Sequence, residues 1–314
     1  MLEAPFTRQQ ALHAGITLAQ LRHPRWMSRF RGVYEKPDAN ADLVTICQAL
    51  SLALPDDAVF SGLTAAALRG WWMPHRAPER PLHVTVPPYR LLERNDVRCI
   101  RSALSPDDVE EVAGLRVTTG LRTLQDLAAQ WSLIDLVVMA DSALRQRDCQ
   151  SAKWVLENCV PGRRGVRTLR RAMSLTDARS ESAMETVLRL TLVIPGLPPP
   201  EPQAILRDQW GGWLARVDLL GADGKSVFEF DGANHDEPER HAEDTSRWRM
   251  LHRHGFEVYP YTKRDIFSGG LQIINDYETA LGLSPDPNRA QAWLREWEQS
   301  SFGRRLSRRP FAAE

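Results

Sequence analysis

Arg216-Val217-Asp218-Leu219-Leu220-Gly221-Ala222-Asp223-Gly224-Lys225-Ser226-Val227-Phe228-Glu229-Phe230-Asp231-Gly232 is the stretch from which the fold is read. Apolar and polar residues alternate on both sides of a Gly- and Asp-rich break. Asp223-Gly224 is a favoured two-residue turn, so the segment reads as a β-hairpin. With the turn there, Ala222 pairs with Lys225, Asp218 faces Glu229 and Arg216 faces Asp231. Side chains alternate across a strand, so Arg216, Asp218, Glu229 and Asp231 project from one side. Val217, Leu219, Phe228 and Phe230 project from the other, into a core. Carboxylates placed opposite one another repel. Two readings account for them. A divalent cation held by oxygen ligands relieves the repulsion, or the face is solvated and Arg216 neutralises Asp231.

The pieces around the hairpin follow a definite order. A helix with Glu181-Ser182 and Glu185 comes first, then Pro200-Glu201-Pro202-Gln203, then Arg216-Val217-Asp218. Glu229-Phe230-Asp231-Gly232 with His235 follows, then Asp244 and Arg247 on a helix, and a closing strand after Gly255. In this order residues 180–280 resemble the bacterial domain related to very-short-patch repair endonucleases, a branch of the PD-(D/E)XK nuclease fold. The resemblance implies a restriction-endonuclease-like α/β domain. It also implies that Asp218 and Glu229 are ligands of Mg²⁺ (or Mn²⁺), with Glu185 contributing from the preceding helix.

One position departs from the broader motif, which carries Lys where this chain has Asp231. The repair endonucleases also lack that Lys and use histidines in this region. His235 is therefore the local candidate for proton transfer, beside the catalytic candidates Asp218, Glu229, Asp231 and Glu185. A nuclease-derived binding domain would show the same departure. Lys263, in the loop after the closing strand, is a candidate replacement for the Lys. Arg216 or Arg247 would balance phosphate charge, although Arg247 can instead pair with Asp244. By spacing alone Glu185 shares a helix face with Arg189 and can pair with it.

The 314 residues suggest two domains, because single cores stop growing near about 250–300 residues. Formal net charge is zero, so no global field draws nucleic acid and any binding must use local patches. Lysine occurs only at Lys36, Lys153, Lys225 and Lys263. Such Arg bias reflects a GC-rich genome and is poor evidence of nucleic-acid binding. Cys47, Cys99, Cys149 and Cys159 show no metal-ligand spacing and read as reduced, mostly core cysteines. No run of about 18 apolar residues and no signal pattern is present, which leads to the expectation of a cytoplasmic protein without membrane contact.

At the N-terminus, Thr7 and Thr17 can cap two short helices, ended by Gly15 and before Pro24. Trp26 to Tyr34 alternates as a small hairpin. Helix, turn, helix and hairpin make a winged helix-turn-helix over 1–40, with the second helix in the major groove. Gln20, Arg22 and His23 are the groove-side candidates, and Arg29 and Arg31 lie on the wing near phosphates. An amphipathic helix pair packed on its neighbour is the alternative. Thr7-Arg8-Gln9-Gln10-Ala11, Gly15-Ile16-Thr17 and Arg31-Gly32-Val33-Tyr34 resemble the N-terminal domain of AbiEi-type antitoxins. Thr64 to Gly70, Leu82 to Pro87, Gly114 to Thr119 and Arg122 to Leu127 extend that resemblance, which implies a regulatory fold.

Residues 41–150 read as a mixed α/β domain. Val44, Ile46, Cys47, Leu50 and Leu52 fit a buried helix; strands fall at 82–86, 97–101 and 115–118, and helices at 122–130 and 133–145. No phosphate loop, nucleophile elbow or helical His pair occurs in it. A basic linker helix follows at 151–179, where Arg163, Arg164 and Arg167 lead a run of five arginines within nine residues. They suit phosphate neutralisation or a solvated helix face. The nuclease-like domain spans 180–283, and 284–314 carries a Trp-rich helix and a basic tail. The expectation is thus an α/β protein (α+β overall) that binds DNA, duplex above all, and hydrolyses phosphodiester bonds in DNA repair or phage defence. The alternative is an inactive AbiEi-like regulator or antitoxin, with a toxin partner or a second copy of itself.

Overall fold

The protein is an α/β protein. The computed structural model describes residues 5–37, 41–232 and 238–303, the side chains of 238–245 excepted. The chain divides into two compact units. The first takes in the chain up to Trp71 together with Pro78–Asp126. The second takes in Trp72–Ala77 and the chain from Leu127 onward.

The first unit opens with β1 (Phe6–Thr7), α1 (Arg8–His13), α2 (Leu18–Leu21), β2 (Met27–Phe30) and β3 (Val33–Glu35). The Thr7 and Thr17 hydroxyls accept from the amides of Gln10 and Gln20, whose side chains return the bond, so both helices start on capping boxes. Phe6, Ala11 and Leu21 form a small core with Ile16, Trp26 and Tyr34. The strands align in the order β1-β3-β2. The helix pair and hairpin are present, but α2 is a single turn.

The unit continues with α3 (Leu43–Ser51), β4 (Val59–Phe60), α4 (Gly62–Leu68), β5 (Leu82–Val86), β6 (Val97–Arg101), β7 (Val109–Val112), β8 (Leu115–Thr118) and α5 (Gly120–Ala128), whose last residues belong to the second unit. The sheet order is β6-β5-β4-β8-β7. Leu52 is the C-cap of α3 and is exposed, not buried as its apolar character suggested. His83 is buried on β5, where its Nδ1 accepts from the Leu63 amide. Burial pushes its imidazole down to about 4. A Cβ at Gly62 would come within 2.6 Å of that Nδ1, at a φ of +52°, so only glycine lets α4 start so close.

In the second unit, α6 (Leu133–Arg145), α7 (Ala152–Asn158), α8 (Val166–Leu175) and α9 (Ala183–Val193) precede the sheet. Next come β9 (Glu201–Arg207), β10 (Trp213–Leu220), β11 (Ser226–Asp231), α10 (Pro238–Arg253) and β12 (Glu257–Thr262). The last helices are α11 (Lys263–Phe267), α12 (Leu271–Ala280) and α13 (Pro287–Trp297). The four strands lie in the order β12-β11-β10-β9. β9, β10 and β11 are antiparallel, whereas β12 runs parallel to β11. A parallel neighbour needs a crossover, which α10 supplies. Leu251 of α10 is buried with Val227, Val217, Ala215, Ala204 and Leu206. Phe228 stacks on Tyr259 at 5.0 Å and meets Tyr277 edge-on at 5.1 Å.

One buried ion pair fixes α9. Asp141 of α6, fully buried, accepts from Arg189 at 2.7 Å, the Thr186 hydroxyl at 2.8 Å and the Asp177 amide at 2.8 Å. Arg189 also donates to the Leu175 carbonyl. The pairing of Arg189 with Glu185 suggested by their spacing is therefore not made; a buried guanidinium needs the buried carboxylate more than the surface one. Among the described residues no helix is long and apolar enough to cross a membrane.

Candidate active site

The hairpin keeps the register expected of it: Leu219 pairs with Phe228 and Leu220 with Val227. Its turn is longer than two residues. Gly221 and Ser226 close it, Gly224 donates to the Gly221 carbonyl, and the Asp223 carboxylate accepts from the amides of Lys225 and Ser226 and the Ser226 hydroxyl. Asp223 satisfies these amides with its own side chain, which displaces the expected Ala222–Lys225 pair. Beyond Leu219 and Phe228 the backbone ladder stops. Asp218 fills the gap, its Oδ2 accepting from the Phe230 amide at 2.9 Å.

Glu229 is 8% exposed and has both oxygens engaged. Arg247 of α10 forms a two-pronged ion pair with it, one prong at 3.1 Å, and Trp248 Nε1 donates to it at 3.2 Å. Arg247 also donates to the Arg216 carbonyl at 3.0 Å. Arg247 is thus engaged by Glu229; the side chain of Asp244, its other expected partner, lies outside the described residues. Arg216 pairs with Glu181 at 2.8 Å, not with Asp231. Glu181, at the mouth of α9, carries two arginines, the other being Arg145. Asp231 ends β11, half-buried and in register with Thr262.

Glu185 reaches β9 from the first turn of α9, which Ser182 caps by accepting from the Glu185 amide. Its Oε2 accepts from the Glu181 amide and from Gln203 Nε2, both at 2.8 Å. Gln203 stands across the sheet from Asp218 and lies 3.5 Å from its Oδ1. Burial, and then the charges of Glu185 and Glu229, push the Asp218 carboxyl up to about 6, with the Phe230 amide and Arg247 pulling the other way. The structure therefore brings Glu185, Asp218 and Glu229 together electrostatically.

The donor chemistry, three carboxylates, fits a hard divalent cation. Among the described residues, however, no three His, Cys, Asp or Glu side chains are grouped closely enough to enclose an ion. Arg247 already gives Glu229 its positive charge. Glu229 would be open to a cation only with that guanidinium turned away. His235 lies outside the described residues. Lys263 opens α11 and is not in a loop; its charge bears on His75.

The nucleic-acid candidates divide. Gln20, Arg22, His23 and Arg31 are exposed, although the Gln20 amide oxygen is held in the cap of α2. Arg29 pairs with the buried Glu35 and is not a free wing cation, because Glu35 would otherwise be an isolated buried charge. Arg164 and Arg167 are exposed and Arg163 half-buried at the start of α8, whose Leu169, Ala172 and Met173 point inward. Sequence reasoning gave no role to Gln203, Trp248 or Glu181. Trp248 beside Arg247 was the one available signal, an indole donor next to a cation on a crossover helix.

No family model matches the chain. It is 30% identical over 239 residues to two Mycobacterium tuberculosis proteins, uncharacterized protein MT2308 of strain CDC 1551 / Oshkosh and uncharacterized protein Rv2248 of strain ATCC 25618 / H37Rv, spanning 75% of this chain and 84% of each relative. A crystal structure of the RV2827C protein from the same species overlaps 59% of this chain and 74% of its own, at a TM-score of 0.39 and 16% identity, a likeness too slight to define a shared fold. The chain belongs to the family of the two mycobacterial proteins MT2308 and Rv2248.

Proposed function

We propose that the protein is a DNA-binding phosphodiesterase whose second unit carries a divalent-cation-dependent hydrolytic site. One observation carries this reading: burial, and then the charges of the nearby Glu185 and Glu229, raise the Asp218 carboxyl to about 6. A scaffold gains nothing from crowding like charges there, whereas a cation site requires it. The resemblance of residues 180–280 to repair-endonuclease relatives supports the same reading, as does the antitoxin-like N-terminal sequence for DNA binding.

Asp218 and Glu229, with Glu185, would hold Mg²⁺ or Mn²⁺, which when bound polarises a phosphate and acidifies a water. Asp218 keeps its place through the Phe230 amide. Glu185 keeps its place through the Ser182 cap and the Asp141–Arg189 pair behind it. Arg216, more than half exposed on β10 although paired with Glu181, is the candidate guanidinium for a substrate phosphate. His235 is the candidate for proton transfer.

The second reading is an inactive regulator or antitoxin, with a toxin partner or a second copy. The full engagement of Glu229 by Arg247 and Trp248 favours it, since an internal cation makes a bound one unnecessary. Purified protein incubated with supercoiled plasmid, nicked duplex and single strands, with Mg²⁺ or Mn²⁺, separates the two. Cleavage that EDTA and Asp218→Ala both abolish is expected. Duplex binding without cleavage of any substrate would establish the regulator.

A further inference from the structure

Four described residues other than glycine have a positive φ, and three of them, Arg76, Ala113 and Arg147, sit in turns. Gln203 is the fourth, and it lies inside strand β9, at φ +54°. A long side chain in that region is strained, and such strain persists only where the surroundings impose it. The antiparallel register is the same on either side, Ala204 pairing with Val217 and Pro202 with Leu219, and the distortion falls where Gln203 stands opposite Asp218.

The distortion has a local consequence. It places the Gln203 amide between two carboxylates on two different elements, 2.8 Å from Glu185 Oε2 and 3.5 Å from Asp218 Oδ1. The remaining bonds to this pair fall on Glu185 Oε2, from the Glu181 amide, and on Asp218 Oδ2, from the Phe230 amide. Glu185 Oε1 accepts no bond among the described residues, and Asp218 Oδ1 accepts only the long contact from Gln203. One oxygen of each carboxylate is thus left to a further partner, with the same amide holding both groups.

We propose that Gln203 is the positioning residue of the carboxylate site, a strained strand residue that clamps Glu185 to Asp218 so that the two can share one divalent cation. This rests on the phosphodiesterase reading of the same site. Gln203 donates to the carboxylates and takes no part in bond making. Its work is to hold together two like charges that would otherwise separate, Glu185 by rotating toward solvent. The clamp also ties the start of α9 to β9, two elements joined by the loop through Pro200.

Two substitutions separate positioning from folding. Gln203→Gly relieves the positive φ, and Gln203→Asn tolerates it with a side chain too short to bridge the pair. The full-length protein is titrated calorimetrically with Mn²⁺, melted without metal, and assayed for plasmid cleavage over a range of DNA concentrations. Both variants are expected to melt no lower than wild type. Mn²⁺ affinity is expected to fall by about 10–100-fold, the range found when a residue orienting a ligand is lost. kcat should fall while KM for DNA stays unchanged. Wild-type Mn²⁺ affinity in both variants would overturn the proposal, as would lower melting with unchanged Mn²⁺ binding. A wild-type protein that neither binds Mn²⁺ nor cleaves DNA would overturn the phosphodiesterase reading itself, and the clamp with it.

Discussion

Replacing Arg247 with Met removes the guanidinium from Glu229 while keeping a long apolar side chain on α10. Its effect can be sized from the structure. Glu229 is nearly buried, so losing its partner strands a charge beside Asp218. Breaking a fully buried pair costs about 3–5 kcal/mol. Here the Arg247 side chain is 34% exposed and Trp248 still donates to Glu229, so solvent and the indole reduce the loss. About 2 kcal/mol is expected, or about 4–8 °C in Tm for a unit of this size. The destabilisation is expected to hold in EDTA and to be largely reversed by Mg²⁺. With Arg247 gone, Glu229 is released to the cation, and a ligand at about 100 times its Kd stabilises by about 2.7 kcal/mol. The assay is a melting series of wild type and Arg247→Met across Mg²⁺ concentrations. If Mg²⁺ raised the Tm of both equally, or of neither, Arg247 and a cation would not compete for Glu229.

His83 predicts a pH dependence in the first unit. Its folded value, about 4, lies below the ordinary 6.5, so the unfolded chain takes up the proton first. The stabilisation is fully present above pH 6.5 and is lost as the pH falls from there through about 4. At about 1.4 kcal/mol per pH unit this amounts to about 3 kcal/mol, and His83→Gln should flatten that slope in urea titrations at pH 7 and pH 4. Arg189→Met leaves Asp141 buried without its cation and should cost about 3–5 kcal/mol. Adding Asp141→Leu should recover most of that loss in chemical denaturation, whereas strictly additive losses would contradict a coupled pair.

Much of the site was legible because strand periodicity is short-range. Alternation around Asp223-Gly224 is enough to set Leu219 against Phe228 and Leu220 against Val227. The turn came out wrong because Asp223 binds the following amides itself, a choice that periodicity does not encode. β9 went unread behind Pro198-Pro199-Pro200 and Pro202, and β7 because Glu110 and Glu111 interrupt its apolar residues. Partners separated in sequence were least legible. Arg189 chose Asp141 over nearby Glu185, and Arg247 chose Glu229, because burial and the parallel crossover decide those pairings. The strain at Gln203 has no sequence signature at all. A glycine would have announced the positive φ; a glutamine conceals it.

Glu185, Asp218 and Glu229 are proposed to form a cation site for phosphodiester hydrolysis. It is tested most directly by measuring Mn²⁺ binding and plasmid cleavage in the same preparations of wild type and Asp218→Asn, which keeps the shape of the carboxylate and removes its charge. Wild type is expected to bind Mn²⁺ and cleave, and Asp218→Asn to do neither while melting at or above the wild-type temperature, since a source of like-charge repulsion has gone. Equal Mn²⁺ binding by both proteins, or cleavage that survives in Asp218→Asn, would contradict it.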